Sequence, residues 1–425
     1  MKSGPRIVVV GAGPAGLMAA IAAAEAADVL LLDQMARPGL KLLASGGGRC
    51  NLTNTLAPAA FMERFGRQGR FMQPALAALD AAALRRFLES LGVPTHSPDG
   101  LLVYPTAESG APVLSALKHK CSELGAVVKA GSPVTGLAFE GGRVSAVSCG
   151  ELIRASAVIL ATGGKTYHRL GGSGTGYELA REAGHAIVDP CPALVPLVTR
   201  ETWPSQLAGV SLQDAVVRID LPGRLGTQVR GAVLFTHKGL SGPAVLDLSG
   251  TVSRSLLERE YVPLKVIPTP GIAVEDWQSM FRERAGSHGK KTLLGALAGV
   301  LPRSLAQVVC ALAGVDSGIR CAHLTAVQRD RVIGQASALS LTVTSTEGFE
   351  NAMVTRGGVA LKDIDPRTLG SRLVRGLFFA GEMLDLDGPS GGFNLQWAFS
   401  SGHLAGSAAS SFVSGNPAGA RQTRV

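Results

Sequence analysis

The 425-residue chain has no close pair of cysteines. Its six cysteines stand far apart, without a C-x-x-C pair or metal-ligand spacing, at Cys50, Cys121, Cys149, Cys191, Cys310 and Cys321. Such spacing argues against a disulfide scaffold or a zinc site and is typical of reduced thiols in a cytoplasmic protein. We therefore expect a cytoplasmic protein without a bound metal.

Long apolar segments are also missing. No uninterrupted apolar run reaches the length of about 18 residues that a membrane-spanning helix needs. Glu25 and Arg303 interrupt the two best candidates, and the N-terminus leads into an apolar strand without a signal-peptide core. These features predict a soluble protein that makes no membrane contact.

Clustered basic charge and aromatic residues are scarce. The net charge is +9, yet no run of five basic residues occurs and aromatic residues make up only 5% of the chain. We identify no stretch in which basic and aromatic side chains interleave as in proteins that bind single-stranded RNA. The pattern favours a solvated basic surface, and nucleic acid is the less favoured partner.

What the chain does have is a glycine fingerprint at its start. Four β-branched residues at 7–10 predict a buried strand, and an Ala-rich stretch predicts a helix over 14–27. Between them, Gly11, Gly13 and Gly16 form G-x-G-x-x-G, and a second predicted strand, 29–32, ends at Asp33. In this arrangement the helix N-terminus binds a pyrophosphate and the carboxylate binds ribose hydroxyls. The order of these features predicts a bound dinucleotide.

Three further glycine-rich turns follow. The loop 45–54 carries three glycines with Arg49, Cys50 and two asparagines, a composition that suits an anion-binding nest. Residues 157–164 predict a buried strand that ends in Thr-Gly-Gly. Near the C-terminus, a strand over 377–382 leads through a Gly-Gly turn into a predicted helix over 393–412. The N-terminus of that helix can direct its dipole at an anionic ligand.

The middle of the chain has a different pattern. Strands bounded by prolines are predicted near 194–199, 212–221, 230–235 and 262–267, helices near 274–284, 291–300, 303–313 and 325–335, and another strand at 338–344. We interpret residues 191–350 as an inserted, mixed β and helical domain. Residues 1–190 and 351–425 then form one α/β domain from both chain ends.

These stretches together resemble the BaiN-like, or aminoacetone-oxidase-like, family of NAD(P)/FAD-dependent oxidoreductases. The residues that carry the resemblance are Ser45-Gly-Gly-Gly-Arg-Cys-Asn-Leu-Thr-Asn54, Phe235-Thr-His-Lys-Gly-Leu-Ser-Gly-Pro243, Thr355-Arg-Gly-Gly-Val359 and the run from Ala380 to Ala398. The resemblance implies FAD in a Rossmann-like domain built from both chain ends, with the insertion on the substrate side.

Carried over by position, the resemblance implies a set of cofactor-binding residues. They are Gly11, Ala12, Gly13, Pro14, Ala15, Gly16, Asp33, Gln34, Lys41, Ser45, Gly46, Gly48, Arg49, Cys50, Asn51, Thr162, Gly163, Gly164, Gly381, Glu382, Asp385, Gly392, Phe393, Asn394, Leu395 and Gln396. Arg356 departs from the pattern, because a small residue is expected beside the paired glycines. It either lies near the flavin or points to solvent.

The reaction itself is less determined by the sequence. His237 is the best candidate for a proton donor or substrate contact, with a loop-bonding role as the alternative, and His168 is weaker. Cys50 is either a reactive thiol or a small packing residue, and the second is favoured. No second G-x-G-x-x-G follows a strand, so NAD(P)H would dock transiently, and O2 with an amine-type substrate is the alternative. An FAD-dependent RNA-modifying protein and a non-catalytic flavin-binding protein are less favoured.

Overall fold

The computed structural model describes residues 6–221, 227–286 and 291–415. The chain forms two compact units, Met1–Cys191 with Met353–Val425, and Pro192–Ala352. The first unit therefore contains both chain ends, and it holds a parallel sheet with flanking helices. The predicted fold class, a Rossmann-like α/β domain interrupted by a mixed β and helical insertion, is confirmed.

The elements are numbered in chain order. Up to the insertion they are β1 Arg6–Val10, α1 Pro14–Ala24, β2 Asp28–Leu32, α2 Leu40–Ala44, β3 Thr53–Asn54, α3 Pro58–Glu63, α4 Gln73–Ala78, α5 Ala81–Ser90, β4 Thr95–His96, β5 Leu102–Pro105, α6 Gly110–Glu123, β6 Val127–Lys129, β7 Gly136–Glu140, β8 Arg143–Cys149, β9 Glu151–Arg154, β10 Ala157–Leu160, α7 Thr175–Glu182 and β11 Ile187–Ala193. The insertion contains β12 Leu197–Thr199, β13 Ser211–Ile219, β14 Gln228–Phe235, β15 Gly239–Ser241, α8 Pro243–Leu256, β16 Val262–Ile267, α9 Val274–Gly286, α10 Leu293–Leu297, α11 Arg303–Ala313, α12 Ala326–Ser337, β17 Leu339–Thr346 and α13 Gly348–Asn351. The C-terminal part contains β18 Val354–Val359, β19 Leu377–Phe379 and α14 Phe393–Val413.

The centre of the first unit is a parallel sheet with the strand order β19-β10-β1-β2-β6. In its register, Ile7 pairs with Ala157 on one side and with Val29 on the other. Apart from Arg6 and Asp28 at their first positions, the inner strands are apolar, because helices cover both faces of such a sheet. The carboxyl ends of β1, β10 and β19 consequently lie side by side, and each is followed by a glycine turn.

Helix α14 packs closely on α1, which fixes the C-terminal segment against the first glycine turn. A Cβ at Gly402 would lie 2.2 Å from the carbonyl oxygen of Ala15, and one at Gly406 would lie 2.3 Å from that of Ala19. Both distances are far below van der Waals contact, so only glycine permits this approach of the two backbones. The N-terminus of α14 is thereby anchored to the sheet that carries the other glycine turns.

Several predicted elements differ from the structure. The amphipathic pattern of residues 74–91 predicts a single helix, but the structure has two, α4 and α5, because Asp80 caps a new helix by accepting a hydrogen bond from the Ala83 N–H at 2.7 Å. The strand expected from 194 starts at Leu197, because Leu194 has a left-handed φ of +50°. The helix expected at 291–300 is the shorter α10.

The second unit contains a closed antiparallel barrel with the order β12-β15-β14-β13-β16-β17. Its interior is filled by Val, Leu, Ile and Phe side chains, which continue into a core with α8, α9, α10, α11 and α12. The sequence predicts antiparallel strands there, but not β15 or the closure of the sheet. Across the described part of the chain, no helix has the length and apolarity needed to cross a membrane.

Candidate dinucleotide site

The turn between β1 and α1 uses its three glycines for different purposes. Gly11 has φ +99°, and a Cβ on it would lie 2.5 Å from the Ala161 carbonyl oxygen. A Cβ on Gly16 would lie 1.7 Å from the Gly11 carbonyl oxygen. At Gly13 a Cβ would meet no atom within 4 Å, and no side chain caps the helix there. The fold therefore needs Gly11 and Gly16, whereas Gly13 borders open space at an uncapped helix N-terminus.

Asp33 lies at the end of β2, beside this turn. Its carboxylate accepts hydrogen bonds from the Ala12 N–H at 2.6 Å and from the Met35 N–H at 2.8 Å. Two backbone amides therefore hold the carboxylate against the glycine turn. A carboxylate has about four lone-pair sites, so capacity for ribose hydroxyls is left. The neighbouring Gln34 is exposed and donates to the Gly171 carbonyl oxygen at 2.8 Å and to the Ser173 hydroxyl at 3.1 Å.

The second glycine loop has a left-handed backbone. Gly46, Gly47 and Gly48 have φ values of 58°, 67° and 90°, and a Cβ on Gly47 or Gly48 would meet no atom within 4 Å. Successive N–H groups in a turn can converge on an anion, as in anion-binding nests. Ser45 starts the turn by donating its hydroxyl to the Leu42 carbonyl oxygen at 2.7 Å. The exposed Arg49 lies over the Tyr104 ring, 4.8 Å from its centroid.

Cys50 lies two residues after the glycines of this loop, and its side chain is buried. Burial raises the pKa of its thiol to about 11, with a smaller opposing effect from its hydrogen bond with Ser45. The thiolate fraction at neutral pH is consequently minute, and thiol chemistry depends on the thiolate. The packing role, which the sequence favours for Cys50, agrees with this environment.

Asn51 connects the glycine loop to α14. Its amide nitrogen donates to the Thr53 carbonyl oxygen at 3.0 Å and to that of Val103 at 3.3 Å, and its oxygen accepts from the Gly392 N–H at 3.2 Å. Gly392, with φ +82°, is the N-cap of α14 and gives the helix no side-chain cap. Asn51 therefore holds the start of α14 beside the second glycine loop.

The turn after β10 lies next to the C-terminal segment. Thr162, Gly163 and Gly164 follow the strand, and Gly163 has φ +73°. A Cβ on Gly164 would lie 2.2 Å from the Thr355 hydroxyl oxygen and 2.7 Å from a carboxylate oxygen of Glu382. The structure thus brings the third glycine turn together with Glu382.

Lys41 and Glu382 form an ion pair across 341 positions of sequence. The Lys41 ammonium donates to Glu382 at 2.5 Å and to the Thr166 hydroxyl at 2.7 Å. The other carboxylate oxygen of Glu382 accepts from the Thr355 N–H at 2.9 Å. This network joins the N-terminal and C-terminal parts of the first unit. The side chains of Lys41 and Glu382 are each less than a third exposed.

Three of the four residues predicted at the start of α14 direct their side chains into the protein. Phe393 packs on Phe61 with 4.8 Å between the ring centroids. The Asn394 side chain makes two hydrogen bonds with Gly388: it accepts from the Gly388 N–H and donates to the Gly388 carbonyl oxygen, both at 2.9 Å. Gln396 is fully buried and donates to the Leu79 carbonyl oxygen at 3.0 Å. At these three positions, the first turn of α14 can therefore offer a ligand its backbone groups but not its side chains.

Arg356 is partly buried and ion-paired, and does not simply point into solvent. On β18, its guanidinium makes a two-pronged contact with Asp387, with Nε–Oδ1 at 2.9 Å and Nη2–Oδ2 at 3.0 Å. Burial acts to lower the pKa of Arg356, but the Asp387 carboxylate outweighs it and raises that pKa. The solvent-exposed alternative for Arg356 is therefore wrong, and its charge is balanced within the loop before α14.

His237 belongs to the second unit, between β14 and β15. The hairpin is closed by the Thr236 N–H, which donates to the Gly239 carbonyl oxygen at 2.9 Å, and by the Thr236 hydroxyl, which accepts from the Gly239 N–H at 3.1 Å. The imidazole of His237 is exposed. Thr236, rather than His237, thus makes the hydrogen bonds that hold this loop. His168 is also exposed, in a short turn after β10.

Three exposed arginines near the site were not identified from the sequence. Arg64, Arg67 and Arg70 follow α3, interleaved with Phe65 and Phe71. Phe61 and Phe65 are buried, so at the surface this segment presents arginines without exposed aromatic rings between them. The signal that would have found them is an arginine at every third position in a segment that contains three phenylalanines.

Comparison with known proteins agrees with this architecture. The chain is 33% identical to a 3-dehydro-bile acid delta(4,6)-reductase of Clostridium scindens, over 95% of this chain and 98% of that protein. It is 30% identical to a ribosomal RNA dihydrouridine synthase of Escherichia coli, over 93% and 95% of the two chains.

Solved structures show the same fold at low identity. A 3-ketosteroid-delta4-(5alpha)-dehydrogenase of Rhodococcus jostii matches with a TM-score of 0.53 and 18% identity, over 96% of this chain and 97% of that one. A flavocytochrome c3 fumarate reductase matches with a TM-score of 0.52 and 18% identity, over 97% and 79%. The family model described as HI0933-like protein Rossmann domain matches residues 5–408, and the chain belongs to that family.

Proposed function

We propose that the protein is an FAD-dependent oxidoreductase that reduces a carbon–carbon double bond conjugated to a carbonyl group, with NAD(P)H as the reductant. The observation that carries the cofactor assignment is the first glycine turn. Gly11 and Gly16 are required by backbone packing, whereas Gly13 borders open space at the N-terminus of α1. An uncapped helix N-terminus facing open space is a ready anion site, which fits a pyrophosphate.

The double bond is suggested by the names of two relatives. One is a delta(4,6)-reductase of a 3-dehydro bile acid, and the other makes dihydrouridine in ribosomal RNA. Both names describe the addition of two hydrogens to a ring double bond conjugated with a carbonyl group. Because the chain covers nearly the whole of each relative, we infer the same reaction class for it.

The first unit has the donors that FAD would need. The N–H groups at the start of α1 and of α14 and those of the left-handed 46–48 loop suit the cofactor's anionic and carbonyl oxygens. Asp33 would hold the adenosine ribose, and the pair of Lys41 and Glu382 would fix the turn after β10. When bound, FAD supplies a two-electron carrier between the reductant and the substrate.

The net reaction balances with the reductant named. The π bond of the substrate breaks and two C–H bonds form, while NAD(P)H is oxidised to NAD(P)+. One hydrogen arrives with both electrons at the carbon β to the carbonyl group, and a proton reaches the α carbon. His237 is our candidate for the group that holds this proton, because its imidazole is exposed and is not needed to close its hairpin.

We expect NADH or NADPH to bleach the visible flavin band of the purified protein rapidly under anaerobic conditions in a stopped-flow mixer. A dithionite-treated sample of the same preparation shows the fully bleached spectrum and serves as the reference. If neither nucleotide bleaches a flavin that dithionite does reduce, the reductant assignment is wrong. Peroxide formed from an amine substrate in air would then favour the oxidase alternative.

A further inference from the structure

We infer that the exposed arginines Arg64, Arg67 and Arg70 form a phosphate-binding ridge that positions an RNA strand beside the cofactor site. This inference rests on the proposed function, because it names the kind of molecule that carries the double bond. The uracil ring has a double bond conjugated to a carbonyl group, so an RNA strand can present such a bond.

The ridge is an exposed, positively charged segment. All three arginines are exposed, and within the described residues none of them makes an ion pair. Residues 61–72 contain these three positive charges and one negative charge, Glu63, so the segment has a net charge of +2. Unpaired guanidinium groups on a surface suit phosphate oxygens, with which they make two-pronged hydrogen bonds.

The backbone presents the arginines in a fixed geometry. Residues Gly66–Met72 form a 3-10 helix, in which side chains three positions apart lie on one face, so Arg67 and Arg70 point the same way. A Cβ on the buried Gly69 would lie 1.9 Å from the Met62 carbonyl oxygen. The segment is therefore packed tightly against the end of α3 and is not a loose loop.

Contacts tie the ridge to the loop that precedes α14. The Gln68 amide donates to the Asp385 carboxylate at 3.0 Å, and the Arg64 guanidinium lies 6.0 Å from the centroid of the Phe393 ring. A Cβ on Gly388 would lie 2.6 Å from the Phe65 ring, so that ring rests on the same loop. The ridge consequently borders the N-terminus of α14, where the cofactor is proposed to lie.

The positive charge of the ridge indicates what kind of partner it binds. The chain carries +9 overall, and the ridge adds a local run of cations next to the site. The Asp385 carboxylate lies beside it and accepts from the neutral Gln68 amide, so the three arginines exceed Glu63 and Asp385 by one positive charge. A small uncharged substrate gains nothing from these three arginines, and NAD(P)H has phosphates only at its centre or on one ribose, whereas a phosphodiester strand offers one charge per nucleotide. The ridge therefore fits an RNA backbone.

The test compares two triple variants of the FAD-loaded protein. The first is Arg64→Gln with Arg67→Gln and Arg70→Gln. The matched control is Arg154→Gln with Arg181→Gln and Arg303→Gln, which removes the same charge from exposed positions elsewhere. Binding of a fluorescein-labelled oligouridylate is followed by fluorescence anisotropy over a salt series, and flavin content and circular dichroism verify that each variant is folded.

We expect the ridge variant to lose at least about tenfold in affinity at low salt. Its slope of log K against log salt should fall by about 2, since each single-strand phosphate contact contributes about 0.7. The control variant should keep nearly the wild-type slope. Equal losses in both variants, or no binding by the wild type at low salt, would overturn the inference. The inference would also be overturned if the ridge variant kept its RNA affinity while NADPH bleached its flavin more slowly.

The two proposals fail in distinguishable ways, because binding is measured without turnover. If the oligouridylate binds through the ridge but no double bond is reduced, the ridge stands and the proposed reaction is wrong. If a free cyclic enone is reduced equally by wild type and ridge variant and no RNA binds, the reaction stands and the ridge inference is wrong.

Discussion

Gly13→Val should give a folded protein that has lost its FAD. In the native backbone Gly13 has φ −77° and ψ −175°, which valine adopts readily, and its Cβ would meet no atom within 4 Å. The space that the valine methyl groups enter is the space proposed for the pyrophosphate. We expect FAD content to fall at least about tenfold while the melting temperature of the cofactor-free protein stays close to that of wild-type apoprotein.

Two further variants control this result. Gly334→Val places the same side chain at an exposed glycine of α12, where a Cβ again meets no atom within 4 Å, and should leave FAD content unchanged. Gly16→Val should lose the fold itself, since its Cβ would lie 1.7 Å from the Gly11 carbonyl oxygen. The readout is the ratio of flavin to protein absorbance after gel filtration. A yellow, fully loaded Gly13→Val protein would show that the pyrophosphate lies elsewhere.

Arg356→Met should destabilise the protein by roughly 3 kcal/mol, because it leaves a buried carboxylate without its cation. The Asp387 side chain is only 9% exposed, whereas that of Arg356 is 28% exposed. Asp387→Asn should therefore cost less, since the guanidinium it leaves can still reach solvent. Urea unfolding followed by circular dichroism measures both changes.

The double variant Arg356→Met with Asp387→Asn separates the ion pair from general packing. If the pair is coupled as the two-pronged geometry indicates, the double variant should be more stable than Arg356→Met alone. Strictly additive losses would show that Arg356 acts through its other contacts. Loss of FAD from the double variant, with its fold retained, would place the pair's role at the cofactor.

The sequence was most informative where backbone geometry allows few residue types. The order of strand, three glycines, helix, strand and Asp33 predicts a βαβ unit because each glycine meets a separate steric demand, two of which the structure displays. The ends of the strands that precede Gly163 and Gly381 can be predicted for the same reason. Parallel pairing then brings these turns to one edge of the sheet, although they are far apart in the chain.

Side-chain direction was not predictable from the same motifs. Phe393, Asn394 and Gln396 lie in a motif that implies cofactor contact, yet their side chains bind Phe61, Gly388 and Leu79. The motif records the path of the backbone, and helix periodicity alone does not say which face the ligand takes. The ion pair of Arg356 with Asp387 could not be predicted for a related reason, because 31 positions of sequence separate the partners.

Barrel closure in the insertion and the arginine ridge were missed for different reasons. Closure depends on which edge strands pair, here β12 with both β15 and β17, and strand patterns carry no information on that choice. The ridge does not stand out in the sequence because no two of its arginines are consecutive. A 3-10 helix aligns every third residue, so Arg67 and Arg70 share a face although two residues separate them.

The most direct test of the proposed reaction is the oxidative half-reaction in isolation. The FAD-loaded protein is reduced under argon, mixed with a uridine oligonucleotide or a cyclic enone, and followed by the return of the visible flavin band and by mass spectrometry of the substrate. We predict that the band returns at the same rate as one of these substrates gains two hydrogens. A band that stays bleached with both substrates but returns at once when O2 is admitted, with peroxide formed, would contradict the assignment.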